Sequence, residues 1–339
     1  MSRQTRTLAI LAVLVVVFLG GYFALRSWNQ SQEEASHTYL AQMSQVTHLS
    51  FDKEGQTLSF SWDETGGWTY DGDTDFPVNS SMLEDIAELF TDLEAVRVIE
   101  EPQGLADYGL DQPQRTVIAQ GETDSVTLLL GDPVEENYYA MVEGGTQVYT
   151  IPSDLFTNTD YTLFQLVQTE TLSAFQEDDI QQVTLSQGEQ NLTLTVSSHT
   201  ETQETGEVDE NGEAVTEEVT SYTWNLDGQE LPQDSQAVDT LLSCLGLQTF
   251  GDCVAFKPTQ EELEAMGLDE ASALTVTVTG TEDKSLELLL GNPTGAEDQV
   301  YAKQKDSQLV FTLSQETQTK LKSLFSADWT VVAAEEEES

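Results

Sequence analysis

Five short motifs occur twice in this chain of 339 residues, in one order and at nearly one spacing. Trp68-Thr69-Tyr70-Asp71-Gly72 matches Trp224-Asn225-Leu226-Asp227-Gly228. Leu105-Ala106-Asp107-Tyr108-Gly109-Leu110-Asp111 matches Leu263-Glu264-Ala265-Met266-Gly267-Leu268-Asp269. Leu128-Leu129-Leu130-Gly131-Asp132-Pro133 matches Leu288-Leu289-Leu290-Gly291-Asn292-Pro293. Tyr139-Ala140 matches Tyr301-Ala302, and Val148-Tyr149-Thr150 matches Val310-Phe311-Thr312. Chance similarity does not keep such an order, so the chain reads as two tandem copies of one unit, residues 45–168 and 169–330.

Each copy carries the same series of patterns. Two strands with alternating apolar residues open it, Val46–Phe51 with Thr57–Trp62 and Ile180–Leu185 with Asn191–Val196. A strand at the Trp and a turn at Asp-Gly follow. A helix comes next, with Leu83, Ile86, Ala87 and Phe90 on one face in the first copy. Val238, Leu241, Leu242 and Leu245 form that face in the second. After Gly-Leu-Asp, three or four strands close the unit. The expected fold is α+β: an N-terminal transmembrane helix followed by two mostly antiparallel β units, each with a helix. The repeated glycines and prolines read as punctuation. Gly131 and Gly291 are expected to take a positive φ where a buried strand ends, and Pro133 and Pro293 to stop the ladder.

The copies differ at residues 198–221, which only the second carries. This acidic, Thr-rich stretch has Asn211-Gly212 near its middle, a two-residue hairpin signal, and reads as a protruding β-ribbon. Asp209, Glu210 and Asn211 would offer oxygen to a cation, but without the distal Glu of a calcium loop.

The segment ahead of the repeats sets the expected location. Leu8–Leu25 has no charge and would span roughly 27 Å as a helix, close to the hydrocarbon thickness. Arg3 and Arg6 precede it, which places residues 1–7 in the cytoplasm and the chain beyond the helix outside it. A cleaved signal peptide is the competing reading. Against it stand the length of the run and the lack of a small-residue cleavage site. Residues 26–44 read as a stalk, helical in part, and 331–339 as an acidic tail.

Charge narrows the partners. The chain holds 61 Asp and Glu against 12 Lys and Arg, a net charge of −49. Such a surface repels phosphate backbones, which argues against nucleic acid. The acidity serves solubility or salt tolerance on one reading. On the other it attracts cations or a basic partner.

The sequence resembles a bacterial family, domain of unknown function 4340. The resemblance rests on Tyr108-Gly109-Leu110-Asp111-Gln112-Pro113 and on Leu129-Leu130-Gly131 followed by Tyr138-Tyr139-Ala140. Val148-Tyr149 and the stretch from Phe175 to Leu185 add to it. It covers nearly all of the part beyond the apolar helix, in two copies. It implies a membrane-anchored protein that accompanies ABC-type export systems with gliding-type auxiliary subunits. It implies no catalytic residue. The second copy departs from the pattern, having no counterpart of Pro113 and a single Tyr301 for the Tyr pair.

Motifs of known chemistry are absent. His37, His48 and His199 stand far apart, with no HExxH, no Gly-x-Ser-x-Gly elbow and no phosphate-cradling glycine loop. A paired-carboxylate hydrolase site stays open among 61 acids, though nothing marks a pair. Trp68 and Trp224, matched between copies, read as core. Cys244 and Cys253 read as a disulfide or as buried free thiols. No catalytic, cofactor-binding or metal-ligating residue is therefore assigned, and no cofactor. The expected function is a non-enzymatic, extracytoplasmic accessory or binding subunit of a membrane assembly, with ABC transporter subunits as the implied partners. Alternatives are a cell-surface protein binding a cation, carbohydrate or envelope polymer, and a hydrolase with an unmarked carboxylate site.

Overall fold

A computed structural model describes residues 37–53, 55–208 and 214–332. The apolar run at 8–25, its flanks and the cation candidates at 209–211 lie outside the described residues. Among the described residues, no helix is long and apolar enough to cross a membrane. The chain divides into two compact units between Leu166 and Val167.

Unit 1 comprises β1 (Tyr39–Ala41), β2 (His48–Lys53), β3 (Gln56–Asp63), β4 (Gly67–Tyr70), α1 (Ser80–Glu88), β5 (Leu93–Glu94) and β6 (Arg97–Ile99). A 3-10 turn at Leu105–Tyr108 leads to β7 (Arg115–Gln120), β8 (Ser125–Val134), β9 (Asn137–Val142), β10 (Val148–Pro152) and α2 (Asp154–Asn158). Unit 2 opens with β11 (Ile180–Gln187), β12 (Gln190–Val208), β13 (Ala214–Leu226), β14 (Gln229–Glu230), α3 (Gln236–Leu245), β15 (Cys253–Phe256) and α4 (Gln260–Met266). It closes with β16 (Leu274–Gly280), β17 (Ser285–Pro293), β18 (Gln299–Gln304), β19 (Leu309–Ser314) and α5 (Gln315–Ser323).

The two sheets have one topology. Unit 1 orders its strands β4-β3-β2-β7-β8-β9-β10-β6, and unit 2 orders them β14-β13-β12-β11-β16-β17-β18-β19-β15. With β14 set aside, each strand has its counterpart in place, and every pairing is antiparallel. Register matches too. Ser50 faces Ser59 and Ile118 in unit 1. Thr184 faces Thr193 and Thr277 in unit 2.

One face of each sheet packs the helix that the periodicity predicts. In α1, Leu83 and Ile86 are buried, with Phe90 just beyond the helix. In α3, Val238, Leu241 and Leu245 are buried, and Cys244 takes the core position expected of the half-buried Leu242. Each such side chain contributes about 1.5–3 kcal/mol by leaving water. Trp68 and Trp224 are buried at matched positions.

The Gly-Leu-Asp turn covers part of the other sheet face in unit 1. Leu110, Met141 and Val148 form a second small core there, with Tyr108, Leu129 and Tyr139 packed against it. The positive φ belongs to Gly109 and Gly267, at 66° and 67°, which end the preceding helical turns. Leu110 N–H donates to Leu105 O, and Leu268 N–H to Leu263 O, the closing bond of a left-handed helix end.

Gly131 and Gly291 correct the sequence expectation. Neither has a positive φ. A Cβ at Gly131 would stand 2.1 Å from Tyr108 O, and one at Gly291 2.2 Å from Met266 O. The glycine is needed because the turn lies against the strand, not because the strand bends there. The prolines do not stop the ladder either. Pairing shifts across a bulge and resumes, with Pro133 opposite Tyr138 and Pro293 opposite Val300.

Two further expectations change. Tyr39–Ala41, read as stalk, is a strand paired with β5, and Leu40, Ala41 and Met43 are buried in the core of unit 1. The short apolar spacing of these residues suits a strand edge better than a helix. At the other end, Val332 bridges Ser235, and Gln236 N–H donates to Val331 O, so residues read as tail belong to the fold.

Candidate binding surfaces

The sheet face opposite the helices is rich in hydroxyls. In unit 2, Thr184, Thr193, Thr275 and Thr277 are half-buried, and Thr195 and Thr279 are exposed. They lie in register on neighbouring strands, with Thr184 Oγ1 3.5 Å from Thr193 Oγ1. Alternation produces the array, because Leu192-Thr193-Leu194-Thr195-Val196 and Leu274-Thr275-Val276-Thr277-Val278-Thr279 send every second residue outward. That pattern was the available sequence signal. Unit 1 places Ser50, Ser59, Ser61, Thr116 and Thr127 on the same face.

Within the face of unit 1, His48 meets acid and hydroxyl groups. Its Nε2 lies 3.4 Å from Ser59 Oγ, and its Nδ1 lies 3.4 Å from Ser61 Oγ and 3.6 Å from Asp71 Oδ2. The set resembles a Ser-His-Asp constellation in composition only. Ser59 Oγ donates directly to Asp71 Oδ2 at 2.6 Å, so its proton is directed to the carboxylate and not to the imidazole. Ser59 also sits mid-strand between β2 and β4, where backbone N–H groups serve the ladder and none is free to stabilise an oxyanion. No sequence motif announces the cluster, since its members come from three separate segments. The other histidines stand apart: His37 is beside Glu94, and His199 beside Glu201.

A polar cleft of about 430 Å³ borders the face of unit 2, between Thr277, Thr279, Ser285 and Glu287 on the sheet and Glu170, Lys305 and Ser307 beyond it. Several of its polar groups have local partners. Lys305 bridges Glu287. Glu170 accepts from Gln304 Nε2 at 3.0 Å and from Ser307 Oγ. Lys303 turns its ammonium to the carbonyls of Gln304, Lys305 and Ser307, pinning the β18–β19 turn. Desolvation lowers its pKa, against the opposing pull of Glu170 and Asp306. Among the described residues, no group of three His, Cys, Asp or Glu is placed to hold a metal ion.

Unit 1 has a different buried cation. Arg115 is 5% exposed and donates to Phe156 O at 2.6 Å, to Thr159 Oγ1 at 3.1 Å and to Asp160. Its guanidinium lies 4.4 Å over the Phe156 ring, which stacks on Tyr138 at 4.0 Å. A hydrogen bond from Lys53, with burial opposing it and Arg115 adding to it, holds the Asp160 carboxyl below its ordinary pKa. The matching register position in unit 2 is Leu274, opposite Leu290 as Arg115 is opposite Leu130. The cluster ties α2 to the sheet.

Both cysteines are buried free thiols, which settles the choice between disulfide and thiol. Burial raises both pKa values, that of Cys253 to about 11. Neither is poised as a nucleophile.

The inserted residues form the ribbon that the length difference suggests. β12 and β13 pair from Leu194 opposite Leu226 out to Val208 opposite Ala214. From Ser197 to Thr205 every residue is exposed, and so is every residue from Thr216 to Thr220. The ribbon therefore adds surface and almost no core.

A family model described as Domain of unknown function (DUF4340) matches residues 68–223 and again residues 224–335. No curated protein and no solved structure matches the chain.

Proposed function

The chain belongs to the family of Domain of unknown function (DUF4340), in two tandem copies, and from that premise we propose that it is a non-enzymatic binding subunit of a membrane assembly. In this reading residues 8–25 anchor it and both units lie outside the cytoplasm. An ABC-type export system is the assembly that the family resemblance suggests. One observation carries the proposal: unit 2 keeps the strand order of unit 1 and adds a ribbon exposed on both faces. Ordering extended chain costs about 1–2 kcal/mol per residue, and here no buried core repays it. A contact outside the unit gives the ribbon a use.

The test is purification of the full chain from native membranes in mild detergent, followed by measurement of its sedimenting mass. A stoichiometric complex with membrane-embedded subunits is the expected result. A chain that sediments alone from membranes of every growth condition overturns the proposal.

The hydroxyl faces favour a second reading, in which an envelope polymer is the ligand. Purified glycan strands would then raise the melting temperature saturably, because a ligand of the native state stabilises it.

A further inference from the structure

The ribbon has two open strand edges. β12 pairs with β11 only from Gln190 to Thr195, and β13 pairs with β14 only at Asn225 and Leu226. Beyond these points each ribbon strand has a single strand neighbour, the other ribbon strand. The outward N–H and C=O groups form a template for another strand.

Charge selects what such a strand must be. Residues 198–221 contain Glu201, Glu204, Glu207, Asp209, Glu210, Glu213, Glu217 and Glu218, and no Lys or Arg. Register puts acids on both faces. Glu201 lies opposite Val219 and Gln203 opposite Glu217 on one face, while Thr202 lies opposite Glu218 and Glu204 opposite Thr216 on the other. A second copy of the ribbon would bring like charges together, which disfavours self-pairing.

We infer that the ribbon edge is the docking strand for an extended, Lys- or Arg-rich segment of a protein partner, which joins it by β-augmentation. This rests on the binding-subunit reading and names the chemistry of its partner. Main-chain bonds along the edge supply affinity, and basic side chains on both faces supply selectivity and a fast, salt-sensitive encounter. A helical or globular basic surface would satisfy the charge and leave the edge unpaired.

The experiment uses the full chain in neutral detergent and a fluorescent dodecapeptide of repeating Lys-Lys-Thr-Thr, which as a strand carries Lys on both faces. A matched peptide carries N-methyl groups on every second amide, which keeps its charge and blocks strand pairing. The plain peptide should bind at least about tenfold more tightly than the methylated one, the scale of losing one or two charge-assisted or edge hydrogen bonds. The combined variant Glu201→Gln, Glu204→Gln, Glu217→Gln and Glu218→Gln should weaken both peptides by about tenfold or more, and should keep the preference for the plain one because the strand edge is intact. Equal binding of the two peptides would mean attraction by charge alone and overturn the inference. So would unchanged binding by the ribbon variant, which would place the contact on the remaining acidic surface. Failure here leaves the binding-subunit reading standing if the chain still sediments with membrane partners. A chain that sediments alone, yet prefers the plain peptide, would instead remove that reading and keep the edge.

Discussion

Gly131→Ala isolates the contact that the two copies share. The new methyl would lie 2.1 Å from Tyr108 O, a backbone atom that cannot rotate away. Relief requires the turn and strand to part by about 1 Å, since overfilled contacts relax only through backbone shifts. The turn carries Leu110 and Tyr108 on the small core with Met141 and Val148. Overpacking of this kind costs about 1–3 kcal/mol. Releasing Leu110 altogether would cost about 1.5–3 kcal/mol, which caps the price. A loss of about 2 kcal/mol is expected, and Gly291→Ala should match it through Met266 O at 2.2 Å. In urea, with a slope of about 2 kcal/mol/M, each variant should lower the midpoint of its own unit by about 1 M. Hydrogen exchange resolves the units. Gly144→Ala is the control: its φ is 78° but nothing lies within 4 Å, so only about 1 kcal/mol of left-handed strain applies. An unchanged midpoint for Gly131→Ala, or a loss no larger than that of Gly144→Ala, would refute the close-approach argument.

Replacing residues 198–221 by a two-residue Asn-Gly turn should change stability by less than about 1 kcal/mol, because loop entropy varies slowly with length and the ribbon buries little; thermal melting checks this. Arg115→Leu installs the side chain that Leu274 has in unit 2 and leaves a half-exposed Asp160 with Lys53, so a change within about 1 kcal/mol is expected, against about 2–3 kcal/mol for Arg115→Ala, which leaves a cavity; urea midpoints separate them. Cys244 and Cys253 should resist a thiol reagent at pH 8 until the chain unfolds. Because the folded state holds the Cys253 proton more tightly, the stability present below pH 9 should fall as pH rises from about 9 to about 11, and Cys253→Ala should flatten that decline.

The sequence made legible whatever depends on local period. The β2–β3 and β11–β12 pairs and most of both helix faces follow from alternation and from the 3.6-residue repeat, and the buried tryptophans follow from the match between copies. What it concealed depends on contact between distant segments. Gly131 needs to be glycine because of Tyr108, 23 positions earlier, and that approach has no local signature. His48 meets Ser59, Ser61 and Asp71 only because β2, β3 and the end of β4 lie side by side. Arg115 is buried only because α2 folds back to receive it, and nothing near it in the sequence signals that. The Thr array was visible as alternation, but only sheet order shows that it forms one continuous face.

Crosslinking in living cells tests the binding-subunit account most directly. A photoreactive residue in place of Val219, which is exposed on the ribbon, is compared with one in place of Leu247, which is 83% exposed elsewhere in unit 2. The account predicts one discrete adduct from the ribbon position, with a membrane-protein partner whose crosslinked peptide is basic, and no such adduct from Leu247. Identical adducts from both positions, or none from either in cells where the chain sits in the membrane, would contradict it.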